Sequence, residues 1–103
     1  MSTTLAAIAE PSRLRILRLV WHQERPAGDI AGHFDVTFGA ISQHLRVLHE
    51  AGLVEVRRAG RQRLYRARRE VMGPLADYLE AQWRTHLESL EDLAEAEEQR
   101  DEH

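Results

Sequence analysis

The sequence predicts a mainly α-helical fold with one small β-hairpin, organised as a dimer. Three observations carry that expectation. Apolar residues recur at helical spacing over much of the chain, two alternating strand-like runs meet at a Gly-Arg tip, and a long apolar stripe lies near the C-terminus with little core left to cover it. At 103 residues the chain has room for one ordinary domain. A chain this short buries only roughly 60–70% of its unfolded surface, so a subunit interface would add useful apolar burial.

Residues 3–9, Thr-Thr-Leu-Ala-Ala-Ile-Ala, are helix formers, and Glu10-Pro11-Ser12 separates them from a second helix over 13–22. There Leu14, Leu17 and Trp21 recur at i, i+3, i+7 beside Ile16 and Val20, giving a broad face in which Trp21 is a core residue. Arg25-Pro26 interrupts the pattern, and Pro26 opens a third short helix reaching about Phe34. After a turn at Asp35-Val36, Thr37 caps a fourth helix that runs to Ala51, and Gly52 ends it. Leu53 to Arg58 and Gln62 to Arg66 alternate as two strands around Ala59-Gly60-Arg61. From about residue 71, with Pro74 tolerated in the first turn, one long helix runs toward residue 98, and 99–103 fray. Residues 1–98 are thus expected to form a single domain that includes a dimerisation helix over about 71–98.

The net charge of −3 hides a strong asymmetry. Up to residue 69 there are 12 Arg and 6 acidic residues; from residue 70 onward there are 2 Arg and 11 acidic residues. Seven arginines, Arg57, Arg58, Arg61, Arg63, Arg66, Arg68 and Arg69, fall within 57–69 with no acid among them, an electrostatic footprint for a polyanion such as nucleic acid.

The fourth helix supplies the complementary chemistry. At about 100° per residue, Phe38, Ile41, Leu45 and Leu48 share one face, while Gly39, Ser42, Gln43 and Arg46 share the other. Arg binds guanine bidentately, Gln binds adenine, Ser bonds base or phosphate, and small residues permit close approach in a major groove. Phe38 is placed with the packed set, contact with a thymine methyl being the alternative. Helix, turn, helix and basic hairpin, in that order, form a winged helix-turn-helix. Its expected DNA-binding residues are Thr37, Ser42, Gln43, His44, Arg46, Arg57, Arg61 and Arg63.

The segment Ile41-Ser42-Gln43-His44-Leu45-Arg46-Val47-Leu48-His49-Glu50-Ala51-Gly52-Leu53-Val54 resembles the ArsR/SmtB-type bacterial repressors. The likeness extends upstream over Ala9-Glu10-Pro11-Ser12-Arg13-Leu14-Arg15-Ile16-Leu17, downstream over Gly60-Arg61-Gln62-Arg63-Leu64-Tyr65 and more loosely to Trp83, covering roughly residues 5–95. It implies a homodimeric repressor of bacterial operons in which Ser42, Gln43 and His44 face DNA and Arg61 and Arg63 belong to the wing. Phe38 and Gly39 depart from the family pattern, which often has a polar residue and a proline there.

In the last helix Leu79, Trp83, His86, Leu90 and Leu93 repeat at spacings of 4, 3, 4 and 3, with Leu75 and Leu87 widening the stripe. The expected dimer seam is Leu5, Ile8, Leu79, Trp83, His86, Leu87 and Leu90. The resemblance raises metal sensing, yet the chain has no cysteine, and its terminal helix lacks the Asp-x-His and His-x-x-Glu arrangement of the family's zinc sensors. Asp77, His86 and Glu91 remain as candidates. Asp77 and His86 lie about 13.5 Å apart along a helix, so they could share an ion only across the seam. No metal site, cofactor or small-molecule ligand is expected.

No stretch has the roughly 18 apolar residues of a membrane span, and Met1-Ser2-Thr3-Thr4 lacks a signal-peptide layout, so a soluble cytoplasmic protein is expected. Glycine-rich phosphate loops and nucleophile elbows are absent, and His22, His33 and His49 are surface or packing residues, so no enzyme is expected. The expected function is sequence-specific transcriptional repression on a pseudo-palindromic DNA site. A metal-responsive version and a protein-interaction winged helix without DNA are the alternatives.

Overall fold

A computed structural model of the chain describes residues 3–85. The chain divides into two compact units, Met1–Met72 and Gly73–His103.

The first unit begins with α1, Thr3–Ile8, and α2, Pro11–Leu19. Glu10 caps α2 by accepting from the Arg13 amide at 3.0 Å, and Pro11 opens the helix where its missing N–H costs nothing. The predicted second helix is therefore displaced toward the N-terminus. Arg13 Nε donates to the Ala7 carbonyl at 2.6 Å and ties the end of α1 to α2. Helix α2 stops short of the predicted His22 because the Val20 carbonyl accepts instead from the Ala67 amide, 2.9 Å away. Ile16, Leu17, Val20 and Trp21 are buried, Trp21 as expected.

Two residues then form a strand absent from the sequence reading, β1, Arg25–Pro26. Pro26 is the residue before α3 rather than its first helical residue, with an extended ψ of 151°. An edge strand tolerates a residue without an N–H. Helix α3, Ala27–Ala31, is shorter than predicted, because the Phe34 and His33 amides close tight turns onto Ala31 and Ile30. Arg15 donates to the His33 carbonyl at 3.2 Å and lies 4.4 Å over the Phe34 ring, which pins this turn against α2.

Helix α4, Phe38–Glu50, matches its predicted limits to within a residue. Thr37 Oγ1 accepts from the Ala40 amide at 3.1 Å, a cap worth about 1 kcal/mol. At the other end, Leu53 N donates to Leu48 O and Gly52 N to His49 O, each at 3.0 Å, closing a Schellman motif with Gly52 at φ 77°. Leu48 and Leu53, the positions at which that motif places apolar residues, are both buried. Ile41, Leu45 and Leu48 are the buried stripe of α4, each stabilising the fold by roughly 1.5–3 kcal/mol.

Strands β2, Val54–Ala59, and β3, Gln62–Ala67, form an antiparallel hairpin closed by Gly60-Arg61. Gly60 has φ 63° and Arg61 is not in the positive-φ region, the type II′ pattern that suits strand twist. β1 pairs with β3 through Arg25 with Tyr65 and Pro26 with Leu64, giving sheet order β1-β3-β2. Arg68 N donates to Leu53 O at 2.8 Å, returning the chain beside the start of β2. The order α3, turn, α4, hairpin is a winged helix-turn-helix.

A 3-10 turn, Arg69–Val71, occupies the predicted start of the last helix. In the second unit the backbone is helical over 74–85, to the end of the described residues. Pro74 fits a first turn and biases its predecessor away from helix, so the helix begins there rather than at residue 71. Of the expected seam residues, Leu5 is 57% exposed, Ile8 and Trp83 are half-buried, and Leu79 is already buried in the single chain. His86, Leu87, Leu90 and Leu93 lie outside the described residues, as do Glu91 and the expected frayed end. Among the described residues no group of three or more metal-ligating side chains comes together, and Asp77 is exposed.

Candidate nucleic-acid interface

Strand alternation sorts the hairpin's side chains onto two faces. Val56 stands opposite Tyr65 and Arg58 opposite Arg63 on one; Arg57 stands opposite Leu64 and Glu55 opposite Arg66 on the other. The first set turns toward α4. A cleft of about 420 Å³ is lined by Gly39, Ser42, Gln43, Arg46 and His49 from α4 and by Val56, Arg63 and Tyr65 from the hairpin. Beside it, a second cleft of about 690 Å³ is lined by Phe38 and Ser42 from α4, by Arg58, Arg61, Gln62, Arg63 and Tyr65, and by the start of α3. Ser42, Arg63 and Tyr65 border both.

Four arginines therefore surround the exposed stripe of α4. Arg58, Arg61 and Arg63 are exposed on the hairpin, and Arg46 is two-thirds exposed, 3.9 Å from Glu50 in a solvent-screened pair. The acid on the second cleft, Asp29, is held by Arg25 at 2.8 Å. Polar, small and cationic groups thus share one concave surface, the chemistry that suits a phosphate backbone flanking base edges.

Arg57 is placed elsewhere. It lies on the opposite hairpin face, and its Nε donates to both carboxylate oxygens of Glu24 at 3.0 Å. The hydrogen bond from Arg57 holds the Glu24 carboxyl below its ordinary value of 4.5, aided by the charges of Arg57 and Arg66, and the same bond raises Arg57. A guanidinium held this way has a partner already. Arg58, its neighbour, belongs to the seven-arginine footprint but not to the expected DNA-binding set, and period-two alternation counted back from Arg63 across the tight turn places it on the α4 side.

His44 also leaves the expected set. It is half-buried, with Nδ1 3.7 Å from Glu10 Oε2 and 3.5 Å from an Arg13 nitrogen, so it faces the start of α2 and borders neither cleft. Thr37 is exposed at the tip of α4, its hydroxyl engaged as the cap. Phe38 corrects the sequence expectation of a packed residue: it is 57% exposed. Helical side chains lean toward the N-terminus of their helix, and the first residue has no preceding turn to lean on, so Phe38 projects past the core that holds Ile41 and Leu45.

Comparison with known proteins agrees with this architecture. Residues 10–56 match the family described as bacterial regulatory protein, arsR family. The chain is 38% identical over 60 residues to the transcriptional repressor SdpR of Bacillus subtilis, covering 58% of this chain and 67% of that one. It is 38% identical over 65 residues to a transcriptional repressor SmtB homolog of Synechocystis, covering 63% of this chain but only 49% of that protein. Among solved structures it is similar to the homodimeric winged helix-turn-helix DNA-binding domain Mb0332 from Mycobacterium bovis, with TM-score 0.70, 32% identity and coverage of 85% of this chain and 82% of that one. The helix-turn-helix, the arginine-bordered hairpin and these matches together lead to one conclusion: the chain belongs to the ArsR family of bacterial regulatory proteins.

Proposed function

We propose that this chain is a sequence-specific transcriptional repressor that binds a pseudo-palindromic DNA site as a homodimer. The observation that carries the proposal is the shared concave surface, on which Ser42, Gln43 and Arg46 of α4 meet Arg58, Arg61 and Arg63 of the hairpin. In this reading α4 enters the major groove, Ser42 and Gln43 contact base edges, and the three hairpin arginines hold phosphates or the neighbouring minor groove. Repression follows from occupancy, since a bound dimer obstructs polymerase, and no catalytic step is required. The cytoplasm is its place of action; among the described residues no helix is long and apolar enough to cross a membrane.

The proposed dimer contact draws on the exposed Leu5 and on Ile8 and, independently, on the apolar repeat in the sequence that begins at Leu79 and Trp83. The similarity to a homodimeric winged domain supports it. Two copies related by a two-fold axis would present their α4 helices to successive major grooves, about 34–36 Å apart. Hydroxyl-radical footprinting on a duplex enriched from a random pool tests the proposal. Two protected blocks related by a dyad and spaced by one helical turn are expected; a single block, or no enrichment, would count against it.

A further inference from the structure

We infer that Phe38 is a specificity-determining residue that reads the methyl group of a thymine in the major groove. The inference rests on the DNA-binding proposal for the same surface and adds a base preference to it. Phe38 is the first residue of α4 and stands one turn before Ser42, on the edge of the stripe that holds Ser42 and Arg46. Phe38 is 57% exposed and borders the cleft shared with Ser42, Arg58, Arg61 and Arg63.

A phenyl ring has no donor or acceptor, so it can satisfy neither a phosphate oxygen nor the polar edge of a base. Within a major groove the thymine C5-methyl is the apolar group that base edges present, and phenylalanine is among the side chains that contact it. The N-terminal residues of a recognition helix are those that approach base edges. The arginines around the ring give the cleft the charge complementary to DNA and unfavourable to a cationic or purely apolar partner. An exposed ring at this position therefore selects thymine over cytosine without any hydrogen bond.

The test uses the full chain. A duplex enriched from a random pool is resynthesised with deoxyuridine in place of each thymine in turn, which removes one methyl and leaves every hydrogen-bonding group unchanged. Wild-type protein is expected to lose about fourfold in affinity at one thymine per half-site, the value of one buried methyl group. Phe38→Ala should bind the thymine and uracil forms equally while keeping the wild-type salt dependence. Phe38→Leu, which keeps an apolar contact, should retain part of the discrimination. Wild-type protein that binds every uracil form as tightly as the parent overturns the inference, and so does an undiminished uracil penalty in Phe38→Ala. Failure to enrich any duplex would instead overturn the DNA-binding proposal beneath it.

Discussion

The two faces of the β2–β3 hairpin carry the same residue type in different company. On the face toward α4, Arg58 and Arg63 stand opposite one another, and both border the cleft that Arg61 and Ser42 also line. On the other face Arg57 is clasped by Glu24 through both carboxylate oxygens, and Glu55 stands opposite Arg66. One face is a concentrated positive surface; the other is largely balanced within the chain. A count of arginines along the sequence cannot separate these roles, because successive strand residues point to opposite faces and acids far away in sequence choose their partners through the fold.

The largest effect is expected from emptying the α4-facing side. Replacing Arg58, Arg61 and Arg63 together by Ala should weaken binding to every duplex on the order of a hundredfold per half-site at physiological salt and, with both protomers of the dimer changed, flatten the plot of log affinity against log salt by about five units. Fluorescence anisotropy over a salt series measures both quantities, and a slope unchanged from wild type would remove the hairpin from the interface. Gln43→Ala should cost roughly 1–3 kcal/mol at one base pair per half-site and leave the other positions unaffected. Competition with single-base variants of the enriched duplex would detect it, and a uniform loss across all variants would mean that Gln43 meets only the backbone.

The junction that sets α4 and the hairpin side by side can be tested through stability. Gly52→Ala forces a left-handed conformation on a residue with a Cβ, and urea denaturation should show a loss of about 1–2 kcal/mol. No loss would mean that the Schellman turn adapts without strain.

The smallest effect is expected on the balanced face. Arg57→Ala should change DNA affinity by less than about twofold, since exposed ion pairs contribute little and this one points away from α4. Its signature is a titration instead. The Glu24 carboxyl lies below its ordinary value when folded, so the tie is complete above the ordinary carboxylate range and is lost as the pH falls through the lowered value. Carboxyl NMR should find Glu24 moved upward in Arg57→Ala; an unmoved carboxyl would contradict the pairing.

The comparison also explains what was legible in the sequence. Thr37 and Gly52 bracket α4 because capping and left-handed termination depend on single residues, and Gly60 marks the hairpin for the same reason. Signals that depend on distant partners were hidden. The end of α2 is set by Ala67 reaching the Val20 carbonyl, and β1 exists because β3 offers it an edge. His44 shares the sequence neighbourhood of Ser42 and Gln43, yet Glu10 and Arg13 hold it on another side of the helix. Phe38 fits the apolar spacing of Ile41 and Leu45 but stands one turn too early for the core to reach it.

The chain contains no cysteine, so single cysteines can carry a DNA-cleaving iron chelate without background. The most direct test of the central claim places that reagent in turn at Gly39→Cys beside the exposed stripe of α4, at Gln62→Cys at the hairpin tip, and at Glu55→Cys on the balanced face. Cutting within one half-site from the first two positions, with little from the third, is the predicted result. Strong cutting from Glu55→Cys together with silence from Gln62→Cys would contradict a shared DNA-facing surface of α4 and the wing.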